Sequence, residues 1–113
     1  MIKLTVLVKR NPTLSVEEYR QYHLNTHSRL LMTLPEAQQL IRRYSISFPV
    51  ADAGVFDAPE FDGIAELWFD DVAAMDAFLA SENFRTRVRE DETRFLDGEG
   101  TTAMVTEEMV VVP

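Results

Sequence analysis

The chain has 113 residues, 46% hydrophobic and 27% charged, a mixture that suits one folded domain with a single core rather than a disordered segment. A net charge of -8 argues against nucleic acid as a partner, and the absence of cysteine removes disulfides, thiolate ligands and thiolate nucleophiles. No long apolar stretch opens the chain and no run approaches the ~18 apolar residues of a membrane span, so a cytoplasmic protein without membrane contact is expected.

In chain order, Ile2, Leu4, Val6 and Val8 alternate with Lys3, Thr5, Leu7 and Lys9, the period of a strand with one buried face, before Asn11-Pro12 breaks it. Ser15 and Glu18 form a capping-box pair, and Leu14 with Tyr19 can staple the start of a helix predicted from about Val16 to Met32. Its stripe carries Val16, Tyr19, His23, Thr26 and Leu30, with Tyr22 and His27 on the flanks. A second strand follows over Ile41 to Phe48, and Pro49 through Phe61 reads as one long loop. In the third strand, Gly63 to Phe69, Ala65, Leu67 and Phe69 share one face while Ile64, Glu66 and Trp68 share the other. Asp70 or Asp71 caps the next helix, Ser81 starts a short further one with Phe84 and Val88 on one side, and Thr102 to Val112 supplies the last strand.

The order βαββαβ is the ferredoxin-like split motif, an α+β fold in which both helical connections cover one face of a four-stranded sheet. The other face would hold Leu7, Ile64 and Trp68 and is expected to close against a second copy, two sheets forming a dimeric α+β barrel. The alternative is a monomer whose long loop shields Trp68. Charge is lopsided in a way that could steer such pairing, net +4 over residues 1–45 and net -12 over residues 46–113, although solvated surface explains it as well.

The helix stretch from Tyr19 to Leu30, the strand end Leu7-Val8-Lys9-Arg10 and the block from Phe61 to Asp70 together resemble the EthD family of dimeric α+β barrel proteins, across nearly the whole of residues 1–113 as one domain. The resemblance implies a homodimer with a pocket in each subunit, and an oxidoreductase-like or catabolic role. His27 matches the histidine that the family carries near the end of its first helix, and His23 stands where an aromatic is more usual. Glu108 fits the family's glutamate, whereas Met109 takes a place often held by histidine.

Two residues are candidate catalytic groups. His27 can move a proton near neutral pH, unless it merely packs at the helix end and bonds a carbonyl. Glu66 alternates to the same face as Trp68, where a carboxylate among apolar neighbours has a raised pKa or a salt-bridge partner in Lys3, Lys9 or Arg43. Trp68, Tyr22, Tyr44 and His23 are candidate ring-binding residues. His23 and His27 are also four residues apart, a spacing that can grip a metal, but helix packing accounts for it more simply and no metal is expected. No phosphate loop, dinucleotide fingerprint or nucleophile elbow is present, so cofactor-free acid/base chemistry is expected on a small cyclic or aromatic catabolic intermediate: isomerisation, dehydration or oxygenation. A haem-binding variant, a non-catalytic binding or accessory protein of a degradation pathway, and a pure interaction protein are the alternatives. An internal cavity separates the first group from the last.

Overall fold

A computed structural model describes residues 1–50, 54 and 56–113. The elements are β1 (Ile2–Val8), α1 (Val16–Gln21), a π-helical stretch π1 (Tyr22–His27), α2 (Ser28–Thr33), α3 (Pro35–Leu40), β2 (Arg43–Ser47), β3 (Gly63–Phe69), α4 (Val72–Ala80), a second π stretch π2 (Phe84–Val88), α5 (Arg89–Phe95) and β4 (Thr102–Glu107). The strands form one antiparallel sheet in the order β2-β3-β1-β4, the ferredoxin-like arrangement expected from the alternation of strands and helices.

The first helix begins where its sequence signals it. Ser15 accepts from the Glu18 backbone N–H and Glu18 accepts from the Ser15 backbone N–H, which satisfies two first-turn donors at once. It runs through π1 and α2 to Thr33, where Leu34 turns extended because the residue before a proline avoids helical geometry. Pro35 then opens α3 as its first residue, a helix absent from the sequence reading and the reason β2 starts only at Arg43. Ser81 does cap a helix, but that helix is not short: it continues through π2 and α5 to Phe95.

The last strand ends at Glu107 rather than Val112. Its partner β1 begins at Ile2, which pairs with Glu107, so residues beyond it have no strand left to bond. The expectation of one loop over residues 49–61 falls partly on residues 51–53 and 55, which lie outside the described residues.

Strand alternation sends Leu4, Val6, Val8, Ala65, Leu67, Phe69, Tyr44 and Ile46 toward the helices. The core there is divided. One cluster holds Leu31, Leu34, Leu67, Phe69, Phe78 and Val88, and a second holds Val8, Tyr19 and Phe95. The other sheet face carries, row by row, Arg43-Trp68-Lys3-Thr106, Ser45-Glu66-Thr5-Met104 and Ser47-Ile64-Leu7-Thr102.

Candidate functional site

Between the helices and the sheet lies a half-open cavity of about 980 Å³, bordered by members of both core clusters. Its walls are mostly aliphatic and aromatic, with Leu4, Val6, Leu67, Phe78, Phe84 and Val88 among them. The polar groups that reach it are few: His23 and His27 from π1, Tyr44 from β2, and Arg85, Arg89, Glu92 and Thr93 from the helix that ends the second connection, with Thr101 and Thr102 at one edge. Both π-helical stretches border this cavity, and departures from α-helical bonding of this kind are frequent at functional sites.

His27 is buried, and its ring is fixed on two sides. Its Nδ1 lies 2.8 Å from Asp91 Oδ2, and its ring packs 4.5 Å from that of Phe95. Asp91 in turn accepts the Tyr22 hydroxyl at 2.5 Å and the Arg94 guanidinium at 3.3 Å, both on Oδ1. Burial works to raise the Asp91 carboxyl, and the bonds from Tyr22 and His27, aided by charge and by Arg94, outweigh it and hold the group below its ordinary value. An ionised carboxylate can only accept, so His27 holds a proton on Nδ1, and in the neutral ring Nε2 is the nitrogen left to accept.

His23 sits one turn earlier and is buried as well, its Nδ1 2.9 Å from the Tyr19 hydroxyl. Burial, with the neighbouring His27 adding to it, depresses its pKa from 6.5 to about 3, so at neutral pH the ring is uncharged. Tyr19 is completely buried and lies against Gly63, where an added Cβ would stand 2.2 Å from the tyrosine hydroxyl oxygen. Only glycine at the start of β3 leaves room for that hydroxyl beside His23. Glu92 reaches the cavity with its carboxyl raised by burial against the pull of Arg89, and burial also raises the Tyr44 phenol, next to Glu92.

The structure does not bring His27 and Glu66 together. Glu66 points to the opposite face of the sheet, where the Lys3 ammonium sits 2.9 Å from its carboxylate, so strand alternation, which made it face Trp68, also removed it from the helix-side cavity. Trp68 is likewise outside the cavity. Its indole is only 6% exposed, flanked by the Arg43 guanidinium at 4.7 Å and the Lys3 ammonium at 5.4 Å, and its Nε1–H donates to Glu108 at 3.2 Å. The expected bare indole is therefore covered within its own chain, with the Arg43 and Lys3 cations over its ring. Of the expected ring-binding residues, His23 and Tyr44 line the cavity, and Tyr22 serves from behind by holding Asp91.

Asp91 escaped the sequence reading because Arg87 to Arg94 looks like a solvated charge run. A signal was present, though: Phe84, Val88, Asp91 and Phe95 are spaced four, three and four residues apart, so an acid occupies a place on the buried stripe. No cluster of three or more potential metal ligands occurs among the described residues, and no helix among them is long and apolar enough to cross a membrane.

Comparison with known proteins gives a match to the EthD domain over residues 11–99. No curated protein matches significantly. Among solved structures, an EthD-family protein from Bacillus halodurans C-125 superposes with a TM-score of 0.75 at 21% identity, covering 96% of this chain and 99% of that one. A dimeric ferredoxin-like protein of unknown function from Thermobifida fusca gives 0.64 at 16% identity, over 93% and 88% of the two chains. An antibiotic biosynthesis monooxygenase gives 0.58 at 17% identity, over 96% and 99%. These likenesses establish the fold.

Proposed function

The chain belongs to the EthD family, and we propose that it is a homodimeric small-molecule enzyme in which His27 is the general base, acting on a cyclic or aromatic intermediate held in the helix-side cavity. One observation carries the reading: an imidazole oriented by a buried carboxylate, His27 on Asp91 at 2.8 Å, beside a cavity of about 980 Å³ with mostly apolar walls. That arrangement is the base-plus-orienter geometry of acid/base catalysis, and the cavity is of a size that takes a small ligand. The established acid–base magnitudes set the test. With a substrate found by screening cyclic and aromatic carbonyl compounds, His27→Ala and Asp91→Asn should each lower kcat by about a hundredfold or more without loss of folding. A wild-type protein that binds such compounds but turns none over, with His27→Ala binding them equally well, would instead favour a non-catalytic binding or accessory protein.

The homodimer rests on the dimeric state named for the Thermobifida fusca relative and on apolar surface at the last strand and tail of this chain. Met104 is 53% exposed, and Met109, Val110, Val111 and Val112 are exposed beyond the end of β4. Light scattering should give twice the 12.9 kDa chain mass at micromolar concentration; the mass of one chain would remove the dimer from the proposal.

A further inference from the structure

We propose that His23 is a second catalytic residue of this cavity, an uncharged imidazole that holds its Nε2–H toward a ligand oxygen, so that the cavity takes an enolisable carbonyl compound and stabilises its enolate while His27 removes the proton. The inference rests on the reading of His27 as base and adds the substrate class to it.

The tautomer follows from Tyr19. Its hydroxyl is fully buried, and among the described residues its one hydrogen-bond partner is His23 Nδ1. If the imidazole donated there, the hydroxyl proton would be left with no acceptor in an apolar site. If the hydroxyl donates, only an oxygen lone pair goes unused, which costs less. Tyr19 therefore donates, Nδ1 accepts, and the single ring proton of a neutral imidazole must be on Nε2. The depressed basicity of the ring keeps it in that uncharged form. The titratable groups packed against it are Tyr19 and His27.

Asp91 imposes the reverse on the neutral form of His27, with the proton on Nδ1 and the lone pair on Nε2. The side-chain nitrogens that are walled in without a hydrogen-bond partner among the described residues are Arg10 Nε and Arg20 Nε. Neither imidazole Nε2 has a protein partner there either, so each reaches open space, and the space that both rings border is the cavity. One helix thus presents a donor and an acceptor side by side, with ring centroids 5.8 Å apart. A carbonyl oxygen and a proton on the adjacent carbon need that pair. His27 Nε2 takes the proton as the C–H bond breaks, the electron pair moves onto the carbonyl oxygen, and the resulting enolate oxygen accepts from His23 Nε2–H. No electrons are gained or lost, and reprotonation at another carbon, loss of a leaving group or ring closure can follow.

Two measurements test it. Long-range proton–nitrogen NMR of the wild-type protein should show His23 as the Nε2–H tautomer, still neutral at pH 5, and Tyr19→Phe should release that preference; an Nδ1–H tautomer, or an imidazolium at pH 5, overturns the proposal without any ligand. For the cavity, 4-nitrophenol serves as an enolate mimic and nitrobenzene as its neutral counterpart. His23→Phe should weaken binding of the phenolate by roughly tenfold or more, the scale of a hydrogen bond to a charged oxygen, and leave nitrobenzene within about twofold. Equal losses for both compounds, or no loss for either, overturn the role of His23. Failure of the wild-type protein to bind nitrobenzene counts instead against the cavity as a ligand site, and with it the reading of His27.

Discussion

On the open face of the sheet, Lys3, Glu66, Glu108 and Arg43 surround Trp68, and each finds its partner within the face: Lys3 with Glu66, Glu108 with the indole N–H, Arg43 over the ring. On the helix-covered face two buried imidazoles each spend one nitrogen on a protein partner and leave the other for the cavity. The first arrangement closes on itself and stabilises a surface. The second has hydrogen-bonding capacity that no protein group among the described residues uses, at a cavity with mostly apolar walls, and that is where chemistry is to be sought.

The comparison breaks most visibly at Phe95, which packs against Tyr19, Tyr22, His23 and His27 at once and is 1% exposed. Phe95→Ala should cost about 3–5 kcal/mol in denaturant unfolding, because it removes a buried ring and leaves a void beside the two tyrosines and two imidazoles that pack on it.

Acid sharpens the contrast next. His23 in the fold resists protonation down to about 3, against 6.5 for the ordinary group, so below pH 6.5 the unfolded chain binds a proton that the native chain refuses. Stability should fall by roughly 1.4 kcal/mol per pH unit as pH drops through that window, and be unaffected by this group above it. Glu92, whose carboxyl is raised, contributes the opposite slope just above its ordinary 4.5, so the readout is the difference between wild type and His23→Phe measured at each pH. Parallel curves for the two proteins would show that His23 is not buried as a neutral ring.

Smaller effects bound the comparison from below. Ser15→Ala should cost about 1 kcal/mol by freeing a first-turn N–H of the helix that carries both imidazoles, seen as a lower Tm. Glu66→Gln should cost less than about 1 kcal/mol, since the Lys3 pair is partly solvated, and should leave turnover and ligand binding unchanged. A loss of turnover there would reopen the sheet's other face as a site.

The strands, the start of the first helix and the ferredoxin-like order were legible because each rests on neighbours in sequence: period-two alternation in Ile2–Val8 and Gly63–Phe69, and the reciprocal Ser15 and Glu18 bonds. Alternation also correctly separated Ala65, Leu67 and Phe69 from Glu66 and Trp68. What it could not supply was which of the two faces holds a cavity. A carboxylate beside an indole suggests an interior, which makes Glu66 a candidate alongside His27, whereas the cavity lies on the helix side of the sheet, bordered by both core clusters.

The sequence by itself thus determined the elements, their order and the position of His23 and His27 on one helix, since these depend on local periodicity and capping. The tertiary structure decided the burial of both rings and the partner of His27. Asp91 is 64 residues from His27, and it reaches the ring because α5 and π1 pack over the same sheet face. Gly63 meets Tyr19 for the same kind of reason. Which nitrogen of His27 holds its proton is set by Asp91, brought close by the closing of a long loop of chain, whereas the Tyr19 hydroxyl that orients His23 is one turn away on the same helix.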